Sequence, residues 1–169
     1  MTAEPASIIH GKYRARIAEL GLVVPQPHPA HAPLLSVLVH DGVAHVSGQL
    51  PRLDGKLVCT GTVGAAVSVD QAVRGAEICA LNGLAVLELA LGNLDRIERF
   101  LRVTGFVAST ADFSEQPTVI DGASLIFHRI FGEAGRHVRS AVGVAALPRG
   151  AAVEVEFSVA VTGDTGGRV

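Results

Sequence analysis

The sequence predicts a single α+β domain, a mixed β-sheet with two helices packed on one face and one further helix ahead of it. Three observations carry this. From Ala152 to Val161 the residues alternate, with Val153, Val155, Phe157, Val159 and Val161 on one side and Glu154, Glu156, Ser158 and Ala160 on the other, the period of a half-buried strand. Between Ser68 and Gly92, Val69, Ala72, Val73, Ala76, Ala80, Leu84, Leu87 and Leu91 recur at helical spacing. A second stripe at that spacing, Ile120, Ala123, Phe127, Ile130 and Phe131, lies between two strand-like runs.

The elements follow in chain order. Ile9, Tyr13, Ile17 and Leu20 share one face of a short amphipathic helix that Gly21 can close. Pro25-Gln26-Pro27-His28-Pro29 cannot continue a helix or sit in a central strand, so it predicts an extended connector. Residues 1–33 are therefore a helix and connector, 34–162 the domain proper and 163–169 a tail. Leu35 to His40 and Val43 to Ser47 flank Asp41-Gly42, a pair that tolerates the positive φ of a two-residue hairpin turn. Leu53-Asp54-Gly55-Lys56 is a second turn, with Leu57-Val58-Cys59 a brief strand, and Gly61 and Gly64 mark a loop.

Ser68 is the N-cap of the long helix, Asp70 sits in its first turn and Gly92 ends it. Ile78, Leu81, Ala85 and Leu89 add a second apolar stripe, which gives the broad face of a helix lying flat on a sheet. Phe100 to Ala108 is a strand, and the next helix starts near Pro117 and closes at Gly132. Val138 to Ala145 and Ala152 to Val161 are strands joined through Leu147-Pro148-Arg149-Gly150. Two helices on one face leave the other sheet face uncovered, and an uncovered apolar face calls for another subunit.

Composition narrows the function. The chain has 169 residues, enough for one two-layer core. Its 14 Lys+Arg against 16 Asp+Glu give a net charge of −2 without a basic stripe, which argues against nucleic-acid binding. The apolar fraction of 49% with only 4% aromatic residues predicts extensive burial, part of it between subunits. Ile78 to Leu91 is too short, and too interrupted by Asn82, Gly83 and Glu88, to cross a bilayer, so no membrane association is expected. Met1 to Ser7 carries Glu4 and Pro5 where an export signal would carry positive charge and an apolar run, which implies a cytoplasmic address. Cys59 and Cys79 form no C-x-x-C pair and read as small buried thiols.

Alternation within Val138 to Ala145 puts Arg139, Ala141, Gly143 and Ala145 on one face, a long cation over a floor of small residues. A guanidinium there can grip a carboxylate through two parallel hydrogen bonds. Glu154, expected on the neighbouring strand and within reach of that cleft, can orient a water or move a proton. The bland alternative is that Arg139 and Glu154 merely pair across the sheet or at an interface. Ser47-Gly48-Gln49 ends a hairpin strand, and Gly48 lets backbone approach a ligand closely; a strand end turning into a loop explains it as well. The pairs His28 with His31 and His40 with His45 lack the spacing and carboxylates of a metal site, so no metal is expected, and the role of His137 stays open. G-x-x-x-x-G-K, G-x-G-x-x-G after a strand and G-x-S-x-G are absent, so no cofactor is expected.

Two motifs carry a resemblance. Val138-Arg139-Ser140-Ala141-Val142-Gly143-Val144-Ala145-Ala146-Leu147-Pro148 with Ala152-Val153-Glu154-Val155-Glu156 resembles the C-terminal signature of the Rid/YjgF/UK114 (endoribonuclease L-PSP) family, and Val46-Ser47-Gly48-Gln49-Leu50-Pro51 is similar to its N-terminal one. Gly61-Thr62-Val63-Gly64, Gly105-Phe106-Val107 and Gly132-Glu133-Ala134-Gly135-Arg136 look like a divergent, chorismate-mutase-like subgroup. The resemblance implies a chorismate-mutase-like fold and a homotrimer with a central barrel and clefts between subunits. It implies hydrolysis of 2-aminoacrylate-type enamines and imines to 2-keto acids and ammonia, on a small carboxylate-bearing metabolite. Arg139 would then hold the substrate carboxylate and Glu154 would position the attacking water, with Ser47, Gly48, Gln49, Ala141, Leu35 and Gly122 around the substrate. The chain departs from the archetype in having Ala141 for a Cys, Leu34 or Leu35 for an aromatic residue, and Asp121-Gly122 where Asn is frequent. A non-catalytic trimeric module that binds such a metabolite is the alternative.

Overall fold

The computed structural model describes residues 11–163. Helix α1 (Lys12–Glu19) is followed by strands β1 (Val37–His40), β2 (Val43–Gln49), β3 (Arg52–Leu53) and β4 (Lys56–Leu57), helix α2 (Val69–Leu91), strand β5 (Ile97–Ala108), helix α3 (Gln116–Phe131), and strands β6 (Val138–Val144) and β7 (Val153–Val161). Ile9, Met1 to Ser7 and nearly all of the expected tail lie outside the described residues.

Local chemistry sets these boundaries. Asp41 and Gly42 adopt φ of 46° and 76°, and Asp54 and Gly55 adopt 49° and 76°, so both hairpins close on two consecutive left-handed residues. Ser68 caps α2 in a reciprocal box: its hydroxyl accepts from the Gln71 amide while the Gln71 side chain accepts from the Ser68 amide. Gly92, at φ 78°, closes the far end. Strand β1 starts two residues later than the sequence suggests; just ahead of it the Ser36 hydroxyl accepts from the Ala30 amide of the connector at 2.6 Å.

The main sheet has the order β1-β2-β7-β5-β6, and β3-β4 form a separate ribbon. Neighbouring strands are antiparallel except β5 and β6, which are parallel. A parallel pair needs a crossover, and α3 supplies it. β7 therefore pairs with β2 and β5, and never with β6, although only eight residues separate β6 from β7 in the chain.

Helices α2 and α3 cover one sheet face, and between them and the sheet lies the core, which includes Leu84, Leu87, Phe100, Val103, Ile120, Phe127 and Val153. Phe157 packs where Gly83 leaves no side chain in α2; a Cβ there would collide with its ring. Asn82, buried in α2, donates to the carbonyls of Leu50 and Arg52 and ties down the segment that follows β2. The opposite sheet face carries no helix. It exposes Leu38, Val138 and Val142 and forms a recess of about 420 Å³ lined by residues including Leu35, His45, Ser47, Arg102 and Glu156.

Helix α1 docks on the back of the helix layer. The Asp95 carboxylate accepts from the Lys12 and Tyr13 amides at 2.8 and 3.1 Å, Arg14 pairs with buried Glu88, and the Tyr13 ring lies 4.3 Å from that of Phe131. No helix among the described residues is long and apolar enough to cross a membrane.

Candidate functional site

Strand β6 sits at one sheet edge, and its register decides which way Arg139 points. Arg139 pairs with Val103 of β5, which pairs with Phe157 of β7; all three face the helices. Glu154 pairs with Phe106, which pairs with Val142, and these face the open side. Two sequence expectations are corrected here. Glu154 is not on the strand beside Arg139, because β5 lies between them, and within one protomer the two side chains project from opposite faces of the sheet. Nor does the cation stand free over small residues: the helix crossing over β6 reaches it. Ala141 packs against the core, and Gly143 is approached by the side chains of Gln116 and Ser109.

Arg139 is held by α3. One terminal nitrogen donates to the Asp121 carboxylate at 2.7 Å and to the Ser124 hydroxyl at 3.1 Å, and the other to the Pro117 carbonyl at 3.3 Å. Its side chain keeps 22% of its surface exposed and that of Asp121 57%, so the pair lies at the protein surface where a ligand can reach it. Behind Ser124 stands His137: its Nε2 is 3.0 Å from the Ser124 hydroxyl and its Nδ1 is 2.7 Å from the Gly135 carbonyl. A carbonyl can only accept, so Nδ1 carries the proton and Nε2 accepts from Ser124. Burial pushes the His137 pKa down, with Arg139 adding to the fall and the bond to Gly135 opposing it. The neutral ring lies beside the stacked pair of Phe100 and Phe127, with centroids 6.4 and 6.0 Å away.

Ser47, Gly48, Glu154 and Leu35 gather on the open side. The ladder between β2 and β7 shifts register between Val46 and Gln49, which places Ser47 and Gly48 in a bulge. Gln49 folds back to donate to the Ser47 carbonyl at 3.0 Å. Glu154 lies against Gly48 so closely that a Cβ there would overlap its carboxylate. Burial, then the nearby Glu156 charge, pushes the Glu154 pKa up. Ser47 and Leu35 line the open-face recess. Gly122 is elsewhere: it is buried where α3 crosses α2, and a Cβ on it would strike the Val73 carbonyl.

The structure thus divides the predicted site into an Arg139 half on the helix side of one sheet edge and a Ser47-Gly48-Glu154 half on the open side. Asp121 and Ser124, which complete the first half, lie one turn apart on α3 beside its buried stripe; their spacing was the available signal. Among the described residues no group of three His, Cys, Asp or Glu side chains is placed to hold a metal.

A helix-backed mixed sheet with an arginine on its edge strand, held by the crossover helix, defines a class of small α+β domains. The chain belongs to the YjgF/chorismate mutase-like endoribonuclease family, whose model matches residues 15–157. It is 40% identical over 153 residues to Protein TCP17 of Trypanosoma cruzi, covering 90% of this chain and 96% of that one. The crystal structure of protein Atu1372 of Agrobacterium tumefaciens, of unknown function, is 42% identical with a TM-score of 0.84, covering 89% and 93% of the two chains. A Shewanella oneidensis protein described as an endoribonuclease is 30% identical with a TM-score of 0.85, covering 88% and 99%.

Proposed function

We propose that this protein is a Rid-type hydrolase that converts imines and enamines of small 2-keto acids to the keto acid and ammonia, in clefts between the subunits of a homotrimer. The observation that carries this reading is the placement of Arg139: a cation on an edge strand, partly exposed, and oriented from behind by Asp121, Ser124 and Pro117. It is preorganised to hold a carboxylate. Glu154 projects from the opposite sheet face, so it meets a substrate on Arg139 only if it comes from a neighbouring protomer. The apolar residues on the open face and at both sheet edges supply the surface for that assembly. Arg139 then anchors the carboxylate while the neighbour's Glu154, beside Gly48, positions the water.

A second reading, a trimeric module that binds a 2-keto acid without turning it over, is favoured by one observation: the Arg139 charge is already matched by Asp121. RNA cleavage, suggested by the family's description, fits poorly with a net charge of −2. Ammonia release from freshly formed 2-iminopropanoate separates the first two. The hydrolase predicts turnover that disappears in Arg139→Ala; saturable pyruvate binding with no ammonia released means the module.

A further inference from the structure

The hydrogen bonds behind Arg139 run in one direction. His137 Nδ1 donates to the Gly135 carbonyl, Ser124 donates its hydroxyl proton to His137 Nε2, and the Ser124 oxygen accepts from Arg139, which also donates to Asp121. A hydroxyl whose proton is committed to a neutral imidazole and whose oxygen faces a cation is arranged to lose that proton to the ring and regain another. Nothing in the packing of α3 against the sheet demands it: the contact is already filled by the apolar side chains of Ile120, Ala123 and Phe127.

The geometry points to Ser124 and His137 as a proton relay for the reaction at Arg139, an inference that rests on the hydrolase reading above. A substrate carboxylate on Arg139 lies next to the Ser124 oxygen, 3.1 Å from the same guanidinium. Water adds to the carbon of the C=N bond of the iminium, and the proton it sheds passes to Ser124 as the Ser124 proton moves to His137 Nε2. The relay then returns that proton to the nitrogen of the carbinolamine. The C–N bond breaks, its electron pair leaves with nitrogen, and the hydroxyl proton goes back through Ser124 to His137 as the C=O bond forms. Ammonia departs and takes that proton as ammonium. One iminium and one water give one keto acid and one ammonium ion, and the relay ends as it began. Ser124 is the group that meets the reacting water, and His137 is a positioning residue that acts through it. The neighbour's Glu154 keeps its task of orienting the water.

The charged groups that bear on His137 are Arg139 on the strand that begins just after it, Asp121 on α3 through Arg139, and Arg99 and Arg136, the latter paired with Glu133, around the recess of about 460 Å³ that His137 helps to line. Burial and the Arg139 charge disfavour a positive charge on the ring, which keeps Nε2 free to accept.

The test uses the full-length assembled protein with 2-iminopropanoate generated in place by an amino-acid oxidase, and pyruvate as the binding probe. Ser124→Ala and His137→Gln should each lower kcat about 100-fold, the scale of lost general acid–base catalysis, and in His137→Gln, which leaves every contact of Arg139 in place, KM and pyruvate affinity should stay within about twofold of the parent. The parent's kcat should fall on the acid side as His137 gains a proton, and His137→Gln should lose that limb. Nitrogen NMR of the parent should show a neutral ring protonated at Nδ1. Arg139-dependent turnover that is unchanged in both variants overturns the relay and spares the hydrolase reading. A parent that binds pyruvate and releases no ammonia overturns both. Should either variant melt much earlier than the parent, the NMR tautomer decides: a ring protonated at Nε2 overturns the relay.

Discussion

Arg139 and Glu154 stand on opposite faces of one sheet with β5 between them, so a single protomer cannot bring both to one substrate. Any chemistry that uses the two together is chemistry between subunits. Mixing tests this directly. Arg139→Ala and Glu154→Gln proteins, each inactive alone, should recover activity when unfolded together and refolded, because an interface between unlike chains has both native groups. Random assembly of a cyclic oligomer restores roughly a quarter of the sites. No recovery, with mixed oligomers demonstrated by mass, sinks the shared site.

Gly48 permits the Glu154 carboxylate to lie against the bulge in β2. Gly48→Ala should displace Glu154, whose flexible side chain moves at little cost in stability. We expect ammonia release to fall ~10- to 100-fold, the usual consequence of misplacing a reacting group by an ångström, with the melting temperature nearly unchanged. Native activity in Gly48→Ala would remove Glu154 from the mechanism.

His137 also couples the fold to pH. Its folded pKa lies below its ordinary value of 6.5, so the unfolded chain binds the proton more readily. The stability it contributes is present above pH 6.5 and is lost as pH falls through the folded value. Glu154, with its pKa raised from 4.5, acts in the other sense: its contribution is full below 4.5 and is lost as pH rises through its folded value. Urea unfolding of the parent and His137→Gln should therefore diverge above pH 6.5, the parent being favoured, and draw together as pH falls below it. Parallel curves across this range contradict a buried neutral ring.

Arg14 is 28% exposed at its side chain and Glu88 6%, so their pair lies between the surface and buried limits. Arg14→Ala should cost about 1–3 kcal/mol in global unfolding, because the Glu88 carboxylate is left buried without its partner. Arg14→Ala with Glu88→Leu should recover much of that loss. Equal destabilisation in the single and double variants would show that the pair is not what holds α1.

Local signals told most of the element story and topology told the rest. Ser68, Gly92 and the two Asp-Gly turns act within a few residues of themselves, so their effects are readable along the chain. Which strands neighbour one another is not. β6 and β7 follow each other in sequence, yet β6 joins β5 through the α3 crossover and β7 inserts between β2 and β5. The alternation that put Arg139 on the face of Ala141 and Gly143 was correct about the face and silent about what covers it. Asp121 and Ser124 reach Arg139 across 18 and 15 residues, a pairing that only the helix crossing creates. Gly122 drew notice for its place in a motif, but its small size serves the approach of α3 to the Val73 carbonyl.

The carboxylate that caps α1 lies 83 residues beyond the Lys12 amide it receives. An eight-residue helix has too few internal bonds to persist alone in water. During synthesis, then, α1 must wait as a fluctuating peptide until Asp95, Glu88 and Phe131 have all emerged and taken their positions. The docking of α1 therefore reports that the helix layer beneath it is in place.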